Sequence, residues 1–167
     1  MSSRFTTSAD LTTQRLVLRP WTAAEVSAVV GGERRTRWAD DFPTEGDRVI
    51  AGFIAENDGL ALGEFGQRQL IERVTGLVVG AAGLFWPPSG GVVEFGYGVV
   101  PSRRGRGYAT EAARALVAFA LAAPGVESVV AKVELSNPAS VRVLENAGLS
   151  RLDGDAKTAT FGTGVQK

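Results

Sequence analysis

Residues 92–123, VVEFGYGVVPSRRGRGYATEAARALVAFALAA, decide the reading of this chain. Val92 to Val100 is a run of β-branched and aromatic residues that predicts a buried strand, and Pro101-Ser102 breaks it. A glycine-spaced basic turn follows, Arg103-Arg104-Gly105-Arg106-Gly107. Ala109, Ala112, Ala113, Leu116, Val117 and Ala120 then recur at helical spacing, so the turn sits at a helix N-terminus directly after a strand.

That arrangement suits an anion. The first turn of a helix carries backbone N–H groups without partners and the positive end of the helix dipole. Gly105 and Gly107 let a ligand approach the backbone, and the arginines add charge and forked donors, so the expected guest is a phosphate or pyrophosphate. No G-x-x-x-x-G-K-[ST] motif occurs. Gly105-x-Gly107 also lacks the third glycine of G-x-G-x-x-G, position 110 being Thr110.

Arg104-Gly105-Arg106-Gly107-Tyr108-Ala109 matches [QR]-x-x-G-x-[GA], and Thr110-Glu111-Ala112 continues it. Thr13 to Trp21 reads T-x-R-L-x-L-R-x-W; Glu94-Phe95-Gly96-Tyr97 precedes the turn; Asn137-Pro138-Ala139-Ser140 and Ala147-Gly148-Leu149 follow it. In these residues, over roughly positions 11 to 150, the chain resembles the GCN5-related N-acetyltransferases, and in particular their ribosomal-protein-alanine acetyltransferase branch.

The resemblance implies a mixed α/β fold. It would have a sheet of about six or seven strands, an antiparallel N-terminal meander, a parallel pair splayed at the acyl-CoA site, and about four flanking helices. It implies acetyl-CoA as cosubstrate. Pantetheine would pair with strand backbone near Val99, the pyrophosphate would rest on the amides of Arg104 to Thr110 (Gly105, Arg106, Gly107, Tyr108 and Ala109 between them), and a backbone N–H of Val99 or Val100 would polarise the acyl carbonyl. Asn137 would bond the pantetheine or a water, although as a helix cap before Pro138 it has a sufficient structural role.

An amine acceptor needs a base, since most amines are protonated at pH 7. The resemblance implies Glu94 as first candidate, at nearly the offset of the basic glutamate in the superfamily's histone-type members, and it shares a strand face with Gly96 and Gly98, which leave room beside it; a Glu facing water at the sheet surface is the competing explanation. Glu134 is second. Many family members protonate the departing thiolate with a tyrosine of the last helix, and the matching position here is Leu144. Ser140, Tyr97 or water remain for that role. The side chains of Tyr108 and Phe119 read as core.

Composition narrows the chemistry further. With no cysteine and no histidine, the chain can build no disulfide, Cys/His zinc site, cysteine nucleophile or Ser-His-Asp triad. No metal is expected, and direct transfer from a thioester to an amine fits what is left. The 18 basic and 18 acidic residues balance, which argues against a general nucleic-acid or membrane-surface binder. At 167 residues one domain is expected, over 11–167, after a loose segment of residues 1–10. No apolar run approaches the ~20 residues of a membrane span and the N-terminus lacks a signal-peptide core, so a cytoplasmic protein is the expectation. Oligomeric state has no signal, and a homodimer is compatible.

In chain order, a strand is expected at Arg15–Arg19 and helices at Ala23–Val30 and after Thr44, the latter with Val49, Ile50, Phe53 and Ile54 buried before Gly59. Residues 33–42 either wall the acceptor site through Trp38, Asp40 and Asp41 or form a solvated loop pinned by Trp38 and Phe42. Strands are expected at Gln67–Glu72 and Leu77–Phe85, then a turn over Trp86–Gly91 and the Val92 strand. After the central helix come a strand over Val126–Leu135, parallel to the Val92 strand, a helix from Asn137 to Gly148, and a last strand near Thr158–Gly162. Two functions compete: an N-acetyltransferase acting on a protein N-terminus, peptide or small amine, and an inactive acyl-CoA-binding sensor of the same fold.

Overall fold

A computed structural model describes residues 9–164. Eight strands form one sheet: β1 (Leu11–Thr12), β2 (Leu16–Pro20), β3 (Gln67–Glu72), β4 (Val78–Ser89), β5 (Val92–Val99), β6 (Ser128–Glu134), β7 (Ser150–Gly154) and β8 (Thr158–Gly162), in spatial order β1-β2-β3-β4-β5-β6-β8-β7. All neighbours are antiparallel except β5 and β6, which are joined through a helix and run parallel. The helices are α1 (Ala23–Val30), α2 (Glu45–Glu56), the single turn α3 (Asp58–Ala61), α4 (Tyr108–Leu121) and α5 (Pro138–Asn146). Among the described residues no helix is long and apolar enough to cross a membrane.

The sheet is covered on both faces, as the alternation of β3 makes plain. Arg68 sets its guanidinium 4.9 Å from the Phe119 ring of α4, whereas neighbouring Gln67 lies beside Ile50 and Asp47 of α2. On the α4 side, Ala112, Ala113, Leu116 and Ala120 are wholly buried, and the three alanines let the helix lie close to β4 and β5. On the α2 side, Phe53 packs edge-on against Phe85 with ring centres 5.3 Å apart.

Several local expectations change. Among the described residues the sheet has eight strands rather than about six or seven, and the helix beyond the expected four is α3. Asn57 ends α2, and Gly59 lies inside α3. Val49 is 63% exposed, and Ala51 with Ile54 carries the buried stripe of α2. Trp86-Pro87-Pro88 belongs to β4: the register breaks between Phe85 and Ser89, so the prolines sit in a bulge where the ladder asks for no N–H, and pairing resumes at Ser89↔Val92. The turn is Gly90-Gly91, both at positive φ. Residues 1–8 of the expected loose segment lie outside the described residues.

The feature that positions the site is the early end of the β5–β6 ladder. Pairing covers Val92↔Ser128, Val93↔Val129 and Glu94↔Val130 and then stops. Beyond it β5 stays with β4 as far as Val99↔Gly80, and β6 stays with β8 as far as Glu134↔Thr158. Each strand holds its outer neighbour, and a gap opens between them.

Candidate active site

The turn after β5 forms because two glycines supply backbone that other residues resist: Gly105 has φ 77° and Gly107 φ 84°. Gly107 is the N-cap of α4 and offers no side chain to the helix start, whereas α1, α2 and α5 are capped by Thr22, Thr44 and Asn137. Consequently none of the N–H groups from Gly105 to Thr110 has a protein acceptor among the described residues. The dipole of a 14-residue helix points its positive end at the same place.

These amides open on a cleft of about 570 Å³ that runs from the turn into the gap between β5 and β6. Val99, Arg104, Gly105, Gly107, Tyr108, Ala109, Thr110, Asn137 and Ser140 all line it, so most of the residues singled out from sequence come together here. Val100 donates its N–H to Val79 O at 2.9 Å, which by alternation turns the N–H and C=O of Val99 into the gap. Arg104 confirms that direction, donating from Nε to Val99 O at 3.0 Å. Two residues earlier, the Tyr97 backbone faces the same way.

Opposite β5, the first turn of α5 closes the cleft. Asn137 Oδ1 accepts the Ser140 N–H at 3.2 Å, which fixes Ser140 at the gap. Tyr97 reaches across, and its hydroxyl and Ser140 Oγ share a 2.9 Å hydrogen bond. Burial pushes the Tyr97 phenol above its ordinary range, against the opposing effect of Ser140.

Three expected roles meet obstacles. Val100 has no free N–H to offer an acyl oxygen, because Val79 already takes it. Glu94 lies outside the cleft, half-buried at the last paired register, with Lys132 Nζ 3.8 Å from its Oε1. Arg106 is not in the cleft wall; its Nη1 stands 3.8 Å from Glu72. Leu144 is 1% exposed, a core residue of α5.

The structure also shows roles that sequence reasoning missed. Glu72, 1% exposed at the end of β3, accepts from Arg103 Nε, Thr75 Oγ1 and the Tyr108 hydroxyl, the last at 2.8 Å. Burial alone would raise its carboxyl, but those hydrogen bonds and the Arg103 charge prevail and bring it down to about 2. Arg15 donates from Nη1 to Arg106 O at 2.8 Å, pairs through Nε with Glu111 at 2.8 Å, and lies 4.7 Å from the Tyr108 ring centre. Asp41 accepts from Ser102 N and Oγ at 2.8 and 2.9 Å, and so holds the chain just before the turn. No local motif could reveal these ties, since all but the Thr75 hydrogen bond join residues distant in sequence.

A family model described as an acetyltransferase (GNAT) domain matches residues 15–150. The chain belongs to the GNAT acetyltransferases. It is 27% identical, over 120 residues covering 71% of this chain and 70% of the relative, to an uncharacterized N-acetyltransferase, YjdG, of Bacillus subtilis (strain 168). Its fold is similar to that of a GNAT-family acetyltransferase from Bacillus anthracis, with TM-score 0.67, 20% identity, and 92% and 96% of the two chains covered. It is likewise similar to that of RimL, a ribosomal L7/L12 alpha-N-protein acetyltransferase in complex with coenzyme A, with TM-score 0.64, 15% identity, and 92% and 96% covered. At those identities the two structures bear on fold alone. The GNAT family uses acetyl-CoA, and both the uncapped turn of α4 and the outward-facing Val99 backbone suit a cosubstrate with a diphosphate and an amide-bearing arm.

Proposed function

We propose that this acetyltransferase moves the acetyl group of acetyl-CoA directly to the nitrogen of a primary amine, either a protein or peptide N-terminus or a small amine. The observation that carries the reading is the gap between β5 and β6. It continues from six unpartnered amides at the α4 start to the backbone of Val99 and Tyr97, so a ligand held by its diphosphate extends its arm between the strands.

Each residue then has a stated task. The amides of Gly105 to Thr110 hold the diphosphate, and Arg104 leaves the Val99 carbonyl to pair with phosphate as the arm takes its place. The Val99 N–H stands ready for the arm or the acyl oxygen. Tyr97, tied to Ser140, supplies a proton to the departing thiolate, the task for which Leu144 has no polar group. The sequence points to Glu94 as base, but it stands outside the cleft beside Lys132 and is not given that task.

CoA release, followed with acetyl-CoA and a panel of amines and peptides, tests the reading. Acceptor-dependent release that disappears in Gly107→Glu is expected. Tight CoA binding without release across the panel would instead favour a CoA-binding sensor, the reading that buried Leu144 supports.

A further inference from the structure

A second cavity, of about 210 Å³, lies on the α2 face of β5. Its floor is made of residues with little or no side chain: Ala81 and Ala82 of β4, and Gly96 and Gly98 of β5. Tyr97 and Gly98 line both this cavity and the larger cleft, so the two meet across β5 where β6 has already departed.

Asp47 is the one charged side chain in the cavity wall, and it is 4% exposed. Its Oδ2 accepts from Thr44 N and Oγ1 at 2.8 and 2.9 Å, the arrangement of a capping box, while Oδ1 has no protein donor among the described residues. Capping does not require such burial. Glu25 makes the same box at the start of α1 from a half-exposed position. Oδ1 is not among the buried unpartnered side-chain atoms of the described residues, so it opens on the cavity, and no cation of the chain lines that space. Arg48 acts on Asp47 only as an exposed neighbour in sequence, and burial pushes the carboxyl above its usual range in spite of Arg48 and the Thr44 hydrogen bonds.

We propose that this cavity receives the acceptor, and that Asp47 binds its primary ammonium and takes one proton from it. The proposal rests on the amine-transfer reading and names its acceptor class: at roughly 30 Å³ per water, the space holds about seven waters, enough for the end of an unbranched alkylammonium and too little for a bulky ring system. The ammonium gives one proton to Asp47 and becomes a neutral amine. Its lone pair forms the C–N bond to the thioester carbon, and the C–S bond breaks. The second nitrogen proton is matched by the one delivered to the thiolate through Tyr97 and Ser140, and Asp47 returns its proton to water. The products are the acetamide, CoA thiol and one proton. Glu94, two residues before Gly96 on the same face, is outside this wall and faces Lys132.

The test titrates n-butylammonium into the full chain saturated with CoA, reading backbone amide shifts, and follows butylamine acetylation in parallel. Expected are shifts at Gly96 and Gly98, and at least a tenfold loss of affinity in Asp47→Asn, which keeps an oxygen for the Thr44 N–H. Glu25→Gln should bind as wild type. Gly96→Ala, whose Cβ would stand an ordinary 3.4 Å from the Phe85 ring, should raise the amine KM without changing CoA affinity. Wild-type affinity in Asp47→Asn, shifts confined to another surface, or no butylammonium binding would overturn the proposal. Binding at Asp47 with no amine acetylated would sink the transfer reading and leave only the ammonium site standing; acetylation equally fast in Asp47→Asn would sink the role of Asp47 and leave the transfer reading.

Discussion

Replacing Glu72 by glutamine removes the buried negative charge beneath the site turn and leaves Arg103 without its carboxylate. The carboxyl moves from 4.5 to about 2 on folding, and at about 1.36 kcal/mol per unit the charged form contributes about 3 kcal/mol at pH 7. Because the folded pKa is depressed, that stability is fully present above pH 4.5 and fades as pH falls toward 2. By the same linkage the contribution is about 1 kcal/mol at pH 3. Urea unfolding of wild type and Glu72→Gln at both pH values is the assay. The difference between the proteins should fall by more than half from pH 7 to pH 3. A variant as stable as wild type at pH 7, or an equal deficit at both pH values, would refute the assignment of Glu72 as the charged anchor of the turn.

Three further outcomes follow from the geometry. Arg15→Ala should weaken CoA binding several-fold in calorimetry while leaving the fold intact, because Arg15 steadies the Arg106 carbonyl and the Tyr108 ring from an exposed position. Tyr97→Phe should lower kcat by about 10- to 100-fold in steady-state assays, with acetyl-CoA KM little changed, if its hydroxyl delivers the thiolate's proton. Leu116→Ala should cost about 2–5 kcal/mol in chemical denaturation, since this wholly buried side chain carries the packing of α4 on the sheet.

What the sequence discloses follows from how local each cause is. Gly105 and Gly107 announce the turn because the backbone they permit is a property of single residues, and the α1, α2 and α5 caps are legible within four positions. The parallel placement of β5 and β6 follows from the helix between them. Glu72 is invisible as an anchor because Arg103 and Tyr108 lie 31 and 36 residues away. The Thr44–Asp47 box can be read locally, but its burial depends on β3, β4 and β5 arriving from elsewhere. β7 escapes notice for another reason: every residue in it is exposed, so it has no apolar alternation to read. The prolines after Trp86 mislead because a bulge excuses them from the ladder.

Calorimetric titration with CoA and with pantetheine, which lacks the diphosphate, tests most directly whether the bare amides from Gly105 to Thr110 hold the cosubstrate. CoA should bind with a Kd in the micromolar range and pantetheine at least a hundredfold more weakly. Equal affinity for the two, or no heat with CoA at millimolar concentration on folded protein, would contradict the account.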